Sequence, residues 1–122
     1  MNKNSKKQRD FALYLKKIHA LLKREEINIC IKRMKTKEGE SRFFDIWLNP
    51  NYNLISVLIH ECLHIIYPQK KERWVLKKEK FIFNQLSEVQ IKNLLIFLGD
   101  ILMKSNNTKS KKQKRPNRGL KS

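Results

Sequence analysis

Glycine and proline are scarce, three of each in 122 residues. That poverty of turn formers excludes a loop-rich or all-β chain and favours helices. Cysteine is nearly absent as well: Cys30 and Cys62 are the only two. Two thiols cannot staple a small secreted scaffold, so the expectation is a reduced, intracellular protein, cytoplasmic in location. No apolar run approaches the ~20 residues of a membrane span. The stretch Phe11 to Leu22 is broken by Lys16, Lys17 and His19, which rules it out as the apolar core of a signal peptide. No membrane partner is therefore expected. Acidic residues are the last shortage. Eleven Asp and Glu stand against 28 Lys and Arg, a net charge of +17. A field of that sign attracts polyanions without choosing among them.

What remains divides into three parts. Residues 1–9 form a basic N-terminal segment with four cations and no acid. Residues 10–103 carry the apolar periodicity of a single domain. Residues 104–122 hold eight cations, no acid and almost nothing apolar, which reads as a disordered basic tail able to contact nucleic acid nonspecifically. Within the domain, Phe11, Leu15, Ile18 and Leu22 predict a helix over about 10–24, capped by Asp10. Ile27, Ile29 and Ile31 alternate with polar residues and predict a strand. Lys35 to Glu40 reads as a turn, and Phe43 to Leu48 as a second strand pairing with the first in a hairpin. Asn53 is placed to cap a helix over about 54–67 that is apolar on nearly every side, hence central and buried. Tyr67-Pro68 stops it. A further helix runs from about 69 or 70 to 85, with Val75, Leu76, Glu79, Ile82 and Phe83 facing inward. Ser87 and Gln90 form a capping box ahead of a last amphipathic helix ending near Met103. The fold class is α+β: a small, helix-rich domain with a short antiparallel hairpin beside the central helix.

The central helix carries His60-Glu61-Cys62-Leu63-His64. Two histidines four apart share a helical face, so both imidazoles can bind one metal ion. Glu61 is rotated to the flank of that face, a poor ligand but well placed to take a proton from water on the metal. The rest of the wheel is apolar, and Cys62 points into it as a small core residue. Ionisable groups on a buried helix need partners, and a metal supplies them. The turn at Pro68 brings Glu72 and Glu79 back toward the histidines. Glu72 is the preferred third ligand; Glu79 is its rival, or else a support for one histidine ring. The plain alternative is two hydrogen-bonded histidines and salt-bridging glutamates on a Lys-rich helix. Tyr67 and His19 are the nearby groups that could steady an oxyanion. Trp47 and Trp74 read as core or cleft-rim residues.

The segment Val57 to Glu72, VLIHECLHIIYPQKKE, resembles small phage and prophage HExxH proteins, similar to minimal gluzincin-type or SprT-like zincins. The resemblance covers roughly residues 43–86. It implies an α+β fold with an active-site helix, a short sheet and a backing helix. It implies Zn2+ held by His60 and His64, with Glu61 as general base and Glu72 in the glutamate position, acting on a protein or peptide substrate. The competing expectation is a basic nucleic-acid-binding accessory protein whose HExxH segment is structural or inactive.

Overall fold

The computed structural model describes the backbone of residues 3–117 and the side chains of residues 6–104. Helix α1 spans Lys3–Leu22 and is followed by strand β1, Asn28–Ile31. Strands β2, Gly39–Arg42, and β3, Asp45–Leu48, come next. Helices α2, Leu54–Ile66, α3, Glu72–Gln85, and α4, Glu88–Asn117, complete the chain. No helix among the described residues is long and apolar enough to cross a membrane.

Helix α2 lies at the centre, packed against α1, α3, α4 and the sheet. Its sequence explains why: Val57, Leu58, Ile59, Cys62 and Leu63 are all buried, so one apolar helix meets a neighbour on nearly every side. Leu58 and Leu63 are fully buried, and cutting either to Ala is worth about 2–5 kcal/mol of transfer and cavity cost. The expected cap is present, since the Asn53 side chain accepts from the Ser56 N–H. The Ser87–Gln90 box also forms, each side chain bonding the other's backbone N–H.

The sheet is mixed, in the order β1-β3-β2. The hairpin expected between residues 27–31 and 43–48 is not formed, because those strands pair in parallel, Ile29 opposite Ile46 and Ile31 opposite Leu48. The antiparallel hairpin is instead β2–β3. After β1 the chain passes beyond the β3 position, lays down β2 at the far edge and turns back into the middle. Part of the segment read as a turn is therefore strand. Asn49 holds this route in place. It is fully buried, its Nδ2 donates to the Met34 and Lys37 carbonyls, and its Oδ1 accepts from the Asn51 N–H. Asn49→Ala would remove three hydrogen bonds from a fully buried side chain and is expected to cost about 1–3 kcal/mol by urea unfolding.

The remaining differences lie at element ends. Helix α1 starts at Lys3 rather than at Asp10, so Asp10 is an interior residue and much of the 1–9 segment is helical. Helix α4 runs on to Asn117, past the change of composition at Lys104. Residues 118–122 of the expected tail lie outside the described residues. Leu76, expected inward, is 43% exposed. His19 is half-buried: its ring lies 5.2 Å from Phe97, and its Nε2 is buried without a hydrogen-bond partner. Burial, then the charge of Lys23, lowers its pKa. The fold therefore favours neutral His19. Its contribution is complete above the ordinary value of 6.5 and is lost as pH falls through the lowered value. A His19→Leu variant is expected to lose less stability than the parent chain between pH 7 and pH 5, read by thermal melts.

Candidate metal centre

The site forms where α2, the start of α3 and strand β2 meet. Tyr67 ends α2, its N–H bonding the Leu63 carbonyl, and the chain reverses through Pro68 into α3. Glu72 is thereby set at the first turn of α3, opposite the last two turns of α2. The His64 Nε2 lies 2.7 Å from Glu72 Oε1 and 3.2 Å from His60 Nε2. The His60 Nε2 lies 3.0 Å from Glu72 Oε2. One ligand atom from each of the three residues falls within 4.8 Å of the others, the only such group among the described residues.

The proton inventory explains why these atoms suit a cation. Glu79 Oε1 lies 2.8 Å from His60 Nδ1, and its Oε2 accepts from the Ser56 hydroxyl. Burial alone would raise the Glu79 pKa, but the His60 and Ser56 hydrogen bonds outweigh it and lower the value. An ionised carboxylate can only accept, so the His60 proton belongs on Nδ1 and its Nε2 lone pair faces His64 and Glu72. Two imidazole nitrogens and a carboxylate oxygen then converge. Bonds of about 2.0–2.2 Å to a tetrahedral ion would separate such donors by roughly 3.3–3.6 Å, so the two nitrogens at 3.2 Å are nearly spaced for it and the His64–Glu72 pair at 2.7 Å must open by about 0.6–0.9 Å. Glu72, whose side chain is 59% exposed, is free to make that movement. Burial lowers the His60 pKa, yet the carboxylates of Glu79, Glu72 and Glu61 together raise it on balance.

Glu61 is not among the three converging groups. It lies on the wall of the same cleft, 5% exposed, with a side-chain hydrogen bond from Ser41. Burial raises its pKa, against the pull of Ser41 and the histidines. A carboxylate of raised basicity beside a cation-binding cluster is equipped to accept a proton. The cleft holds about 770 Å³ and is open to solvent, with Gly39, Ser41 and Phe43 on one wall and Glu72 and Leu76 on another.

Of the expected site residues, the fold brings His60, His64 and Glu72 together, with Glu61 beside them. Glu79 stands behind His60, with one oxygen at His60 Nδ1 and the other accepting from the Ser56 hydroxyl. Neither Tyr67 nor His19 lines the cleft. Tyr67 packs edge-on against Tyr14 and Trp74. Cys62 is fully buried in the core, which pushes its thiol pKa far up. The sheet edge flanking the cleft is β2, which neither expected strand contained. Ser41 and Gly39 were not recognisable as site residues, because GESR carries no apolar alternation; Ser56 shares the polar sector of the α2 wheel with the histidines. Gly39 is there to let β2 approach α2: a Cβ on it would lie 2.5 Å from Val57 Cγ1 and 3.1 Å from Glu61 Oε2. Gly39→Ala is expected to cost about 1–3 kcal/mol and to displace Glu61, read by urea unfolding.

Compared with protein-family models, curated proteins and solved structures, the chain finds no match in any of the three.

Proposed function

We propose that this chain is a zinc-dependent metallopeptidase of minimal zincin type, cleaving a peptide bond in a protein or peptide substrate. The observation that carries the reading is the convergence of His60 Nε2, His64 Nε2 and a Glu72 oxygen, with Glu61 on the same wall. Two histidines and one carboxylate are the donor set of many catalytic zinc sites, which keep a fourth position open. The resemblance of residues 57–72 to phage-type and SprT-like zincins points the same way. Bound zinc would supply Lewis-acid activation of water and of the scissile carbonyl. Glu61 takes the proton of the attacking water on its carboxylate and passes it to the leaving amine. Glu79 fixes the His60 ring through Nδ1, and Ser41 orients Glu61. Glu79→Gln is expected to weaken zinc binding by about 10–100-fold while leaving the fold intact, measured by competition with a chromophoric chelator. Purified protein from zinc-supplemented medium should carry about one zinc per chain and cleave an unfolded protein substrate. Metal-free protein without hydrolysis would overturn the reading.

A second reading, nonspecific nucleic-acid binding, is favoured by a basic face. Lys70, Lys71, Arg73, Lys77 and Lys80 line a shallow groove with Trp74, and that groove shares Glu72 and Leu76 with the cleft. Such binding would weaken steeply with salt. DNA retardation with and without residues 104–122 separates this face from the basic C-terminal segment. The two readings are compatible.

A further inference from the structure

The β2–β3 hairpin places an aromatic ring where a glycine is expected. Arg42 pairs with Asp45, so Phe43 and Phe44 form a two-residue loop. Phe43, the first of them, has φ 56°, the only positive φ at a non-glycine among the described residues. Hairpin loops with a positive φ at this position normally use Gly, since a Cβ there clashes with the backbone. Phe43 is also 84% exposed, the most exposed large apolar side chain described. Strain and exposure both count against it as a structural residue, and sites of this kind concentrate where a side chain is needed for contact.

The position says which contact. Phe43 lines the mouth of the cleft that holds His60, Glu61, His64 and Glu72. Leu76, which also lines that cleft, lies on α3 and is 43% exposed although its helix has an inward face available. Ile65 and Pro68 also line the cleft. A cleft that offers exposed apolar side chains, Phe43 and Leu76, beside its polar groups fits a polypeptide with a large apolar side chain beside the reacting bond.

Resting on the peptidase reading, we propose that Phe43, with Leu76, forms a specificity subsite for a large apolar side chain of the substrate, adjacent to the scissile bond. Glu61→Gln chain loaded with zinc, immobilised and exposed to a random library of acetylated, amidated hexapeptides, tests this without requiring turnover. The retained pool should be enriched about tenfold in Phe, Leu, Ile and Met at one position, the discrimination that a few methylenes provide. Adding Phe43→Gly should bring that enrichment close to the input level, whereas Phe43→Leu should keep most of it. The Tm of Phe43→Gly should be unchanged or higher, because glycine relieves the strain, so lost binding cannot be ascribed to unfolding. Equal apolar enrichment with Phe43→Gly, a pool without apolar preference, or no retained peptide overturns the subsite. Selective retention without cleavage by the parent chain would overturn the peptidase reading alone.

Discussion

Glu61→Gln is expected to retain zinc and to lower kcat/KM for peptide hydrolysis by about 10²–10⁴-fold. The substitution keeps the side chain's volume in a nearly closed position, 5% exposed, and an amide can still bond Ser41. What it removes is the basic oxygen. A buried carboxylate has a raised pKa and holds a transferred proton better than an exposed one, and the amide cannot hold it at all. The metal should stay because the converging atoms come from His60, His64 and Glu72, not from Glu61. Zinc content by plasma mass spectrometry and steady-state kinetics on the same preparation check both halves. Loss of metal together with activity would place Glu61 among the ligands. Unchanged activity would remove it from the chemistry.

Zinc should also act as a structural clasp, and this gives the second large effect. The cluster ties the C-terminal half of α2 to the first turn of α3, where Lys71 offers no side-chain cap, and so adds to the Tyr67–Trp74 and Glu79–His60 contacts between the two helices. A ligand that binds only the folded chain adds RT ln(1 + [L]/Kd), about 4 kcal/mol at free zinc 1,000 times Kd. For a domain of this size the Tm should rise by more than about 10 °C on zinc addition and fall back with a chelator. His60→Ala and His64→Ala should abolish the rise, and Glu72→Gln should reduce it sharply. Protons compete for the same nitrogens. Because the surrounding carboxylates raise the His60 pKa on balance, that competition begins at higher pH than for an ordinary histidine, and the zinc-dependent rise in Tm should shrink as pH falls through that range. A Tm indifferent to zinc and chelator at pH 7.5 would show that the cluster is an internal hydrogen-bond network.

How much of this was legible depended on how local the cause was. Helix α2 could be read from its all-round apolar character, its cap from Asn53, and the α4 start from Ser87 and Gln90, because each signal lies within a few residues. The convergence of His60, His64 and Glu72 was legible for the same reason: the histidines are one turn apart, and Pro68 forces a reversal that brings Glu72 back. The support of His60 by Glu79 followed from the same geometry and was one of two roles open to it. The sheet was not legible in the same way. Its parallel β1–β3 pairing depends on residues 17 positions apart in sequence and on a buried Asn49 that, in sequence, only marks the end of a strand. Strand β2, being a polar edge over the cleft, has no hydrophobic pattern to betray it. Phe43 illustrates the general limit. Composition assigns an aromatic residue to a strand, and only the backbone reveals that it sits at a glycine position with nothing covering it.

The central claim is that His60, His64 and Glu72 hold one zinc ion, and anomalous scattering from crystals grown with zinc, recorded on both sides of the zinc absorption edge, tests it most directly. A single strong peak is expected about 2.0–2.2 Å from both Nε2 atoms and from a Glu72 oxygen, with Glu79 still on His60 Nδ1. No peak at this position, or a peak coordinated by Glu79 in place of Glu72, would contradict the claim.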